Sequence, residues 1–220
     1  MNFELEINSV KTQLTQFEKE GKKIFATTSF QTNSVVLLHI ISQAAPHIPI
    51  YFINTGYLFS ETLQFKDRLV DLLELNIVEL RPEISKHQQL DGKNRLLYTT
   101  DPNRCCEINK VQPLEKIKGE YDVWVNGVRA AQTSVRAGFQ KIQPTKSGLL
   151  RYHPVLDFNN KMVYQYLSHY DLPTHPLELE GYMSIGCLPC TQKYAFTGSD
   201  ERGGRWDGMN KTECGLHLEK

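Results

Sequence analysis

Residues 23–44 read KIFATTSFQTNSVVLLHIISQA, and this stretch decides the fold. Its apolar beginning predicts a buried strand over 23–28, its polar middle a turn over 29–34, and its apolar end a helix over 35–44. A second apolar run predicts a strand over 48–53. A strand, a helix and a second strand in this order predict a parallel βαβ unit.

The rest of the chain continues the alternation of helices and strands. Further helices are predicted over 3–19, 60–73, 106–118 and 159–170, with Ser60 and Asn159 as caps, and further strands over 76–80 and 122–126. The predicted fold class is therefore α/β, with a mostly parallel sheet flanked by helices. The polar turns 29–34 and 54–57 both follow strands, so they fall on the carboxyl edge of the sheet, where such folds bind their ligands.

Length and composition argue against several classes of protein. The 220 residues suffice for one domain, and we expect residues 1–200 to form it and the glycine-rich residues 201–220 to form a mobile tail. Lysine plus arginine equals aspartate plus glutamate at 25 each, so the charge indicates neither nucleic acid nor a membrane as partner. The acidic N-terminus predicts no signal peptide, and the longest apolar stretch, near 35–41, is too short to span a bilayer. We therefore expect a cytoplasmic protein.

Four of the five cysteines predict a metal site. Cys105 and Cys106 are adjacent, and Cys187 and Cys190 form a Cys-x-x-Cys pair much later in the chain. In a cytosolic protein such cysteines more often bind metals or catalyse than form structural disulfides. Neighbouring side chains on a helix diverge by about 100°. This divergence suits an iron–sulfur cluster with separate iron corners better than a single zinc ion.

Two other interpretations of these pairs stay open. One is that some of them are buried core cysteines, although Arg, Asn, Pro and Gly flank both pairs. The other is a zinc-stabilised binding module without catalytic activity, which would be colourless and would leave the fifth cysteine without a role.

The fifth cysteine, Cys214, lies in a short polar segment near the C-terminus. Lys211, Glu213 and His217 surround it in the sequence. A cation nearby favours the nucleophilic thiolate, so we interpret Cys214 as a reactive thiol. An incidental exposed cysteine is the alternative.

The order of short motifs resembles one family, the assimilatory adenylyl-sulfate and phosphoadenylyl-sulfate reductases, over about residues 24–217. The motifs are Ile53-Asn54-Thr55-Gly56-Tyr57-Leu58-Phe59 with Glu61-Thr62, Cys105-Cys106 with Lys110-Val111 and Pro113-Leu114, Gly127-Val128-Arg129 with Gln132 and Arg136, His153-Pro154, His175-Pro176-Leu177, Gly181-Tyr182, SIGCLPCT at 184–191, RGGRW at 202–206 and KTECGLH at 211–217. The last motif is highly specific.

The resemblance implies an adenine-nucleotide α-hydrolase-like fold of the PP-loop type. It also implies a 4Fe–4S cluster on Cys105, Cys106, Cys187 and Cys190, and Cys214 as the nucleophile on the tail. This thiolate would attack the sulfur of adenylyl sulfate, release AMP and leave an enzyme S-sulfocysteine. Thioredoxin or glutaredoxin would then release sulfite. No redox change of the cluster is required, so its expected role is electrostatic and structural.

Substrate-binding residues follow from the resemblance and from charge. Arginine suits sulfate and phosphate oxygens, because its planar fork donates two parallel hydrogen bonds. The hydroxyls of the turn 29–34 also donate to phosphate. The expected substrate-binding residues are Ser29, Thr32, Ser34, Gly56, Tyr57, Lys110, Arg129, Arg136, Arg202, Arg205 and His217. Lys110 lies one helical turn from Cys106, so it can face the same site.

The turn 29–34 departs from the family pattern. The wider superfamily has Ser-Gly-Gly-x-Asp-Ser, and cluster-bearing reductases have a glycine and an acidic pair there, whereas this chain has SFQTNS. Without glycine, we expect Asn33 to supply the left-handed backbone of the turn. Without carboxylates, the turn does not repel an extra phosphate. The cysteines therefore favour adenylyl sulfate, while the turn leaves room for phosphoadenylyl sulfate or for use of both.

An ATP pyrophosphatase of related fold is a further hypothesis. The altered turn 29–34 and the motif at 211–217 both argue against it. The sequence leaves the oligomeric state open, including a homo-oligomer.

Overall fold

The computed structural model describes residues 2–193, 204–206, 211 and 215–216, and one mixed sheet organises them. Its strands are β1 (Ile24–Thr28), β2 (Ile50–Ile53), β3 (Ile77–Leu80), β4 (Val123–Asn126), β5 (Ile142–Pro144) and β6 (Leu150–Tyr152). The α-helices are α1 (Phe3–Lys19), α2 (Thr32–Ala44), α3 (Ser60–Leu73), α4 (Leu97–Thr100), α5 (Pro102–Cys106), α6 (Gln112–Lys118), α7 (Ser134–Ala137) and α8 (Asn160–His169). No helix in the described ranges combines the length and the apolar character needed to cross a membrane.

The sheet of the described residues has the strand order β3-β2-β1-β4-β6-β5. Neighbouring strands are parallel except for the antiparallel pair β5 and β6, which confirms the predicted α/β class. The pair β5–β6 escapes prediction because each strand has three residues and Pro144, without an N–H, ends β5. Strand β1 lies between β2, which follows it along the chain, and β4, which the chain reaches later on the opposite side of β1. The carboxyl end of β1 is therefore the switch point at which such sheets bind ligands.

Side chains alternate across β1, so both faces of the sheet are buried. Ile24 and Ala26 face one core, together with apolar residues of α1, α2, α3 and α8. Phe25 faces the opposite core, where it stacks on Trp124 with ring centroids 6.2 Å apart and Leu114 of α6 joins them. Full burial of such a side chain contributes about 1.5–3 kcal/mol. This two-sided packing fixes the strand end that carries the switch point.

The two predicted helix caps have different outcomes. Asn159 caps α8, because its side-chain oxygen accepts from the Met162 amide at 2.9 Å. Ser60 is not a cap: it is the first residue of α3, and Phe59 occupies the cap position.

Two helices differ from their predicted bounds. Helix α2 begins earlier than predicted, at Thr32, so its amino terminus is part of the turn 29–34. The helix predicted over 106–118 begins earlier, with α5, and passes through a π-helical turn at Glu107–Val111 before α6. Single π turns are rare and occur frequently at functional sites. This one directly follows Cys106.

Candidate active site

The turn after β1 contains an unusual backbone conformation at Phe30. Its φ is +53°, in the left-handed region that bulky residues seldom adopt. The ring is fully buried and packs edge-on against Phe52, with centroids 5.1 Å apart, and this packing offsets a backbone cost of roughly 1–2 kcal/mol. The expectation that Asn33 supplies the left-handed residue is wrong, because Asn33 lies in the first turn of α2.

The hydroxyls of this turn form a connected group with Gln31. Ser29 Oγ lies 3.1 Å from Ser34 Oγ, and Gln31 Nε2 donates to Ser29 Oγ at 3.1 Å. All three side chains line a cavity at the carboxyl edge of the sheet. Hydroxyl and amide donors lie here beside the amino terminus of α2, whose dipole favours negative charge. This end of the cavity therefore suits an anion.

Thr32 is turned away from the cavity. Its hydroxyl donates to Glu178 Oε2 at 2.8 Å and accepts from the His175 backbone amide at 2.9 Å. The buried His175 ring accepts at Nδ1 from the Leu177 amide, so its Nε2 carries the proton and donates to Thr62 Oγ1 at 3.0 Å. The structure thus gives Thr32 a structural role in place of the predicted contact with substrate. It joins the start of α2 to the segment around His175.

Three of the predicted cationic residues face the same cavity. They are Lys110 from the π turn, Arg136 from α7, and Arg205. Arg136 is largely buried and donates to Gln132 Oε1, and both side chains line the cavity. The apolar part of the lining includes Leu37, Phe52, Leu114, Trp124, Val128 and Leu216. Positive side chains beside apolar walls suit an anionic ligand that carries a flat apolar group.

Arg129, also predicted to bind substrate, is not among the described residues that line the cavity. Its side chain is fully buried and donates to the Phe158 carbonyl oxygen at 3.0 Å and to Asn160 Oδ1 at 2.9 Å. Both acceptors lie at the start of α8. The structure therefore gives Arg129 a structural role, which is to hold α8 against the loop after β4.

The turn after β2 reaches the cysteines. Gly56 has φ +74°, a left-handed conformation that glycine adopts without steric cost. The Tyr57 carbonyl oxygen accepts from the Leu188 amide at 2.7 Å, and its ring packs beside Cys187. Burial, followed by the nearby Cys105 thiol, raises the pKa of Tyr57 to about 12. Gly56 and Tyr57 thus support the cysteine segment, while their neighbours Thr55 and Leu58 line the cavity. Contact of Gly56 and Tyr57 with a nucleotide stays a prediction.

The four cysteines predicted as ligands come from two segments that face each other. Cys105 and Cys106 end α5, whereas Cys187 directly precedes a short helical turn and Cys190 is its last residue. All four are free thiols with exposed fractions of 7–8%. Burial, together with the nearby thiols of the other three, raises the pKa of Cys105 to about 12. The influence of Cys187 and Cys190 on this pKa indicates that the two pairs, distant in sequence, lie near one another.

Polar side chains contact the sulfurs of both pairs. Asn109 Nδ2 donates to Cys105 Sγ at 3.4 Å, and Thr55 Oγ1 lies 3.3 Å from Cys187 Sγ. The Asn109 amide is held by two hydrogen bonds with the buried amide of Gln89, at 2.6 and 3.0 Å. Donors to sulfur stabilise thiolates, and such supporting contacts orient metal ligands. Sequence reasoning missed this role for Asn109 and Gln89, which carry no motif signal, and for Thr55, which lies inside a motif.

Lys110 and Arg205 border both the cavity and the cysteines. Burial raises the pKa of Cys190, and the positive charges of Lys110 and Arg205 oppose this rise. Arg205 Nη1 donates to the Ile185 carbonyl oxygen at 3.3 Å, and a methyl group at Gly186 would overlap its guanidinium. Gly186 therefore allows this approach. The same two cations therefore lie beside both the cavity and the Cys190 thiol.

The cysteine site has the donor chemistry of an iron–sulfur centre. Within the described residues, no three His, Cys, Asp or Glu side chains form a group that would hold one metal ion. A tetrahedral zinc needs its sulfurs about 3.8 Å apart, given Zn–S distances of about 2.3 Å. A four-iron cluster instead binds each thiolate at its own iron. Four buried thiols, two from each segment, provide one thiolate for each iron of such a cluster.

Comparison with known proteins decides the family. Residues 23–193 match the model of the phosphoadenosine phosphosulfate reductase domain. The chain belongs to this family. This phosphoadenosine phosphosulfate reductase family member is 38% identical over 183 residues to the adenosine 5′-phosphosulfate reductase of Rhodococcus opacus, covering 83% of this chain and 74% of the relative. It is also 36% identical over 201 residues to the phosphoadenosine 5′-phosphosulfate reductase of Gloeobacter violaceus, and the match covers 90% of this chain and 83% of that relative.

The family fold is also found in a solved structure. The crystal structure of phosphoadenylyl-sulfate reductase from Candida auris, a phosphate complex, covers 83% of this chain and 94% of its own with a TM-score of 0.66. The identity is 19%, so this likeness shows the fold alone. It confirms the PP-loop type of fold that the motifs implied.

Part of the predicted site lies outside the described residues of this family member. Cys214, Arg202 and His217 lie outside the described residues, as does the predicted boundary between residues 200 and 201. Leu216 is described: it lines the cavity and packs beside Trp206. A residue of the C-terminal segment 201–220 therefore reaches the cavity wall.

Proposed function

We propose that this protein is an oxidoreductase that reduces adenylyl sulfate to sulfite and AMP in sulfate assimilation, with thioredoxin as the electron donor. One observation carries the proposal. A single cavity is bordered by an anion-binding turn, by three cationic side chains and by Cys187 of the buried cysteine site. Family membership and the reductases named among its relatives support the same activity.

The cavity matches the parts of adenylyl sulfate. Phe52 and Trp124 provide apolar walls for the adenine base. The turn hydroxyls of Ser29 and Ser34, with the amino terminus of α2, take the phosphate. The cationic residues beside the cysteines take the sulfate, since two sulfate oxygens can each accept one of the two parallel hydrogen bonds that a guanidinium such as that of Arg205 donates.

Cys214 is the proposed nucleophile. Its thiolate attacks the sulfur of the substrate, a Cys214–sulfur bond forms, and the bond from sulfur to the bridging oxygen breaks. AMP leaves with the electron pair, and Lys110 and Arg205 stabilise the developing charge. Leu216, two positions along the chain, lines the cavity and supports this placement. In this proposal residues 201–220 form a mobile catalytic tail beside the domain 1–200.

Release of sulfite requires a dithiol. A thiolate of reduced thioredoxin, or of glutaredoxin, attacks the Cys214 sulfur of the S-sulfocysteine. Sulfite leaves with the electron pair, and the second thiol of the donor resolves the mixed disulfide and returns Cys214 as a thiol. The dithiol is oxidised to a disulfide, and sulfur is reduced from the sulfate to the sulfite level.

The proposal includes a 4Fe–4S cluster held by Cys105, Cys106, Cys187 and Cys190. When bound, it would supply a fixed charge distribution beside the sulfate and a covalent link between the two cysteine segments. Both electrons of the reaction come from the dithiol. The sulfur contacts of Asn109 and Thr55 support the ligand sulfurs.

Phosphoadenylyl sulfate is the second candidate substrate. The turn 29–34 contains no carboxylate, so it does not repel a 3′-phosphate. The relative from Gloeobacter violaceus, named for this substrate, supports the same alternative.

The test is thioredoxin-dependent sulfite release from the purified protein, with the two nucleotides side by side. We expect release from adenylyl sulfate, and none from Cys214→Ser at unchanged iron and sulfide content. A folded, iron-loaded protein that releases no sulfite from either nucleotide would refute the proposed activity. Sulfite release by Cys214→Ser would remove Cys214 from its role.

A further inference from the structure

Gln31 joins the two halves of the site through a side chain. The superfamily motif has glycine at this position of the turn, whereas this chain has a long amide. Gln31 Oε1 accepts from the Ile185 backbone amide at 3.0 Å, while Gln31 Nε2 donates to Ser29 Oγ at 3.1 Å. One side chain therefore connects the anion-binding turn with the segment that precedes Cys187.

Hydrogen bonds from several parts of the fold hold the segment 184–187. The Gly186 amide donates to Thr191 Oγ1 at 3.1 Å, and this hydroxyl donates to the Cys187 carbonyl oxygen at 2.9 Å. Ile185 is buried beside Phe59 and Leu177, and its carbonyl oxygen accepts from Arg205. The Ile185 amide donates to Gln31 Oε1. A glycine at position 31 would not provide this acceptor. The position of the backbone just before Cys187 is thus set on one side by the cation that borders the cavity and on the other by the turn.

We propose that Gln31 couples occupation of the nucleotide cavity to the order of the segment 184–187. The nucleotide and the cysteine-bound group would each then be held more tightly when the other is present. The inference deepens the proposed function and rests on it for the identity of both ligands. Linkage requires the effect to be the same in both directions.

The hydrogen-bond chemistry of Ser29 supplies the mechanism. Its hydroxyl has one proton and two acceptor lone pairs, and it lies within reach of both Ser34 and Gln31. When an anion accepts a hydrogen bond from the Ser29 hydroxyl, both lone pairs of Ser29 Oγ can accept hydrogen bonds from donors such as Gln31 Nε2. The amide of Gln31 is then fixed with Oε1 on the Ile185 N–H. Hydrogen bonds in such chains strengthen one another.

The size of the effect follows from the value of one hydrogen bond. A neutral hydrogen bond contributes about 0.5–1.5 kcal/mol, which corresponds to about 2- to 12-fold in a binding constant. We expect coupling within this range.

The experiment uses AMP as the probe and three variants of the full chain. Gln31→Met keeps the length of the side chain and removes both hydrogen bonds. Gln31→Glu keeps an acceptor for the Ile185 amide. Gln43→Met, on the exposed side of α2, is the matched control. The first readout is the rate at which a chelator removes iron from loaded protein, with and without saturating AMP. The second is hydrogen exchange of the peptide that contains Ile185 in iron-free protein, with and without AMP.

We expect AMP to slow iron release by about 2- to 12-fold in the wild type and the Gln43→Met control, and to slow exchange at Ile185. Gln31→Met should lose most of both effects. Gln31→Glu should exchange at Ile185 as slowly as the wild type without AMP. It should also bind AMP more weakly, because it adds a negative charge beside the anion.

Unchanged AMP effects in Gln31→Met would overturn the coupling while leaving the proposed function intact. If Gln31→Met does not fold, rapid exchange at Ile185 in Gln31→Glu would overturn it in the same way. A wild-type protein that binds no AMP by calorimetry would overturn the proposed function, and the coupling with it.

Discussion

The side-chain amide of Asn109 donates to the sulfur of Cys105 across 3.4 Å, and Gln89 holds that amide in place from the opposite side. Both amides are almost completely buried. The donor lies in the π-helical turn that follows Cys106, so the irregular helix brings it beside the thiol. One Asn109 N–H is used by Gln89, and the other lies between the Cys105 carbonyl oxygen at 2.8 Å and the Cys105 sulfur. A donor to sulfur in this position is expected to act on the electronic state of that sulfur as well as on stability.

Replacing Asn109 separates these two effects. Asn109→Leu leaves the Gln89 amide buried without its partner, so we expect a loss of about 1–3 kcal/mol in the free energy of unfolding. The double variant Gln89→Leu/Asn109→Leu should recover much of this loss, because both polar groups are then absent. Urea unfolding of the iron-free protein measures both values.

The same pair of variants tests the sulfur contact. Both lack the donor to Cys105, so both should shift the reduction potential of the loaded protein to more negative values, since hydrogen bonds to sulfur stabilise the reduced state. A potential unchanged from the wild type would show that the 3.4 Å contact has no electronic effect.

A methyl group at Gly186 tests the position of Arg205. Gly186→Ala places its Cβ on the guanidinium, which must leave the Ile185 carbonyl oxygen. We expect the affinity for adenylyl sulfate, measured in a Cys214→Ser background, to fall by at least about 10-fold, the value of one charge-assisted hydrogen bond. Gly119→Ala is the control, because its Cβ would meet no atom within 4 Å. Equal affinities of the two variants in calorimetry would contradict a role for Arg205 in nucleotide binding.

Arg136 and Arg129 should give opposite results. Arg136→Gln removes a cation from the cavity lining, so we expect weaker AMP binding, with a smaller loss of stability than for Arg129→Gln. Arg129→Gln removes the donors to the Phe158 carbonyl oxygen and to Asn160, which should cost about 2–4 kcal/mol of the free energy of unfolding. Calorimetry and urea unfolding of both variants make the comparison. The reverse pattern would restore the predicted role of Arg129 in substrate binding.

Two buried histidines predict a loss of stability in acid. Burial lowers the pKa of His175 from 6.5 to about 4, and burial with Arg151 and Arg136 nearby does the same for His153. The unfolded chain therefore binds more protons between pH 6.5 and about 4. Stability from these groups is complete above this window and is lost as the pH falls through it, by up to about 1.4 kcal/mol per pH unit for each histidine.

His175→Gln provides the measurement. The variant removes one of the buried histidines that titrate in this window, so the slope of unfolding free energy against pH should fall by up to about 1.4 kcal/mol per pH unit within it. The slope is compared rather than the stability itself, because the variant also changes the hydrogen bond to Thr62. An unchanged slope would show that His175 titrates in the folded state as it does in the unfolded chain.

Much of the fold follows from sequence because its signals are local. The apolar runs that form β1, β2 and β4 are bounded by polar turns, and the cap at Asn159 lies where its spacing predicts. The pair β5–β6 carries no such signal: its strands are short, and β6 joins the sheet by pairing with β4, which lies much earlier in the chain.

The site follows the same division. Residue type and motif predict which segments form it, and Ser29, Ser34, Lys110, Arg136 and Arg205 do line the cavity. Sequence does not show that Thr32 and Arg129 turn their polar groups toward other parts of the fold. Their hydrogen bonds join residues far apart in the chain. A hydroxyl or guanidinium group has the same chemistry whether it lines a cavity or bonds to another part of the fold, so residue type alone does not distinguish the two.

Phe30 belongs at once to the hydrophobic core and to the anion-binding turn. Its left-handed backbone shapes the turn, and its ring fills the space beside Phe52. Phe30→Gly would relieve the backbone and leave a void, at a cost of about 3–5 kcal/mol. The glycine form of this turn is therefore not accessible to the chain in one tolerated step. A return of position 30 to glycine therefore requires an earlier change in the core, one that fills the space now occupied by the Phe30 ring.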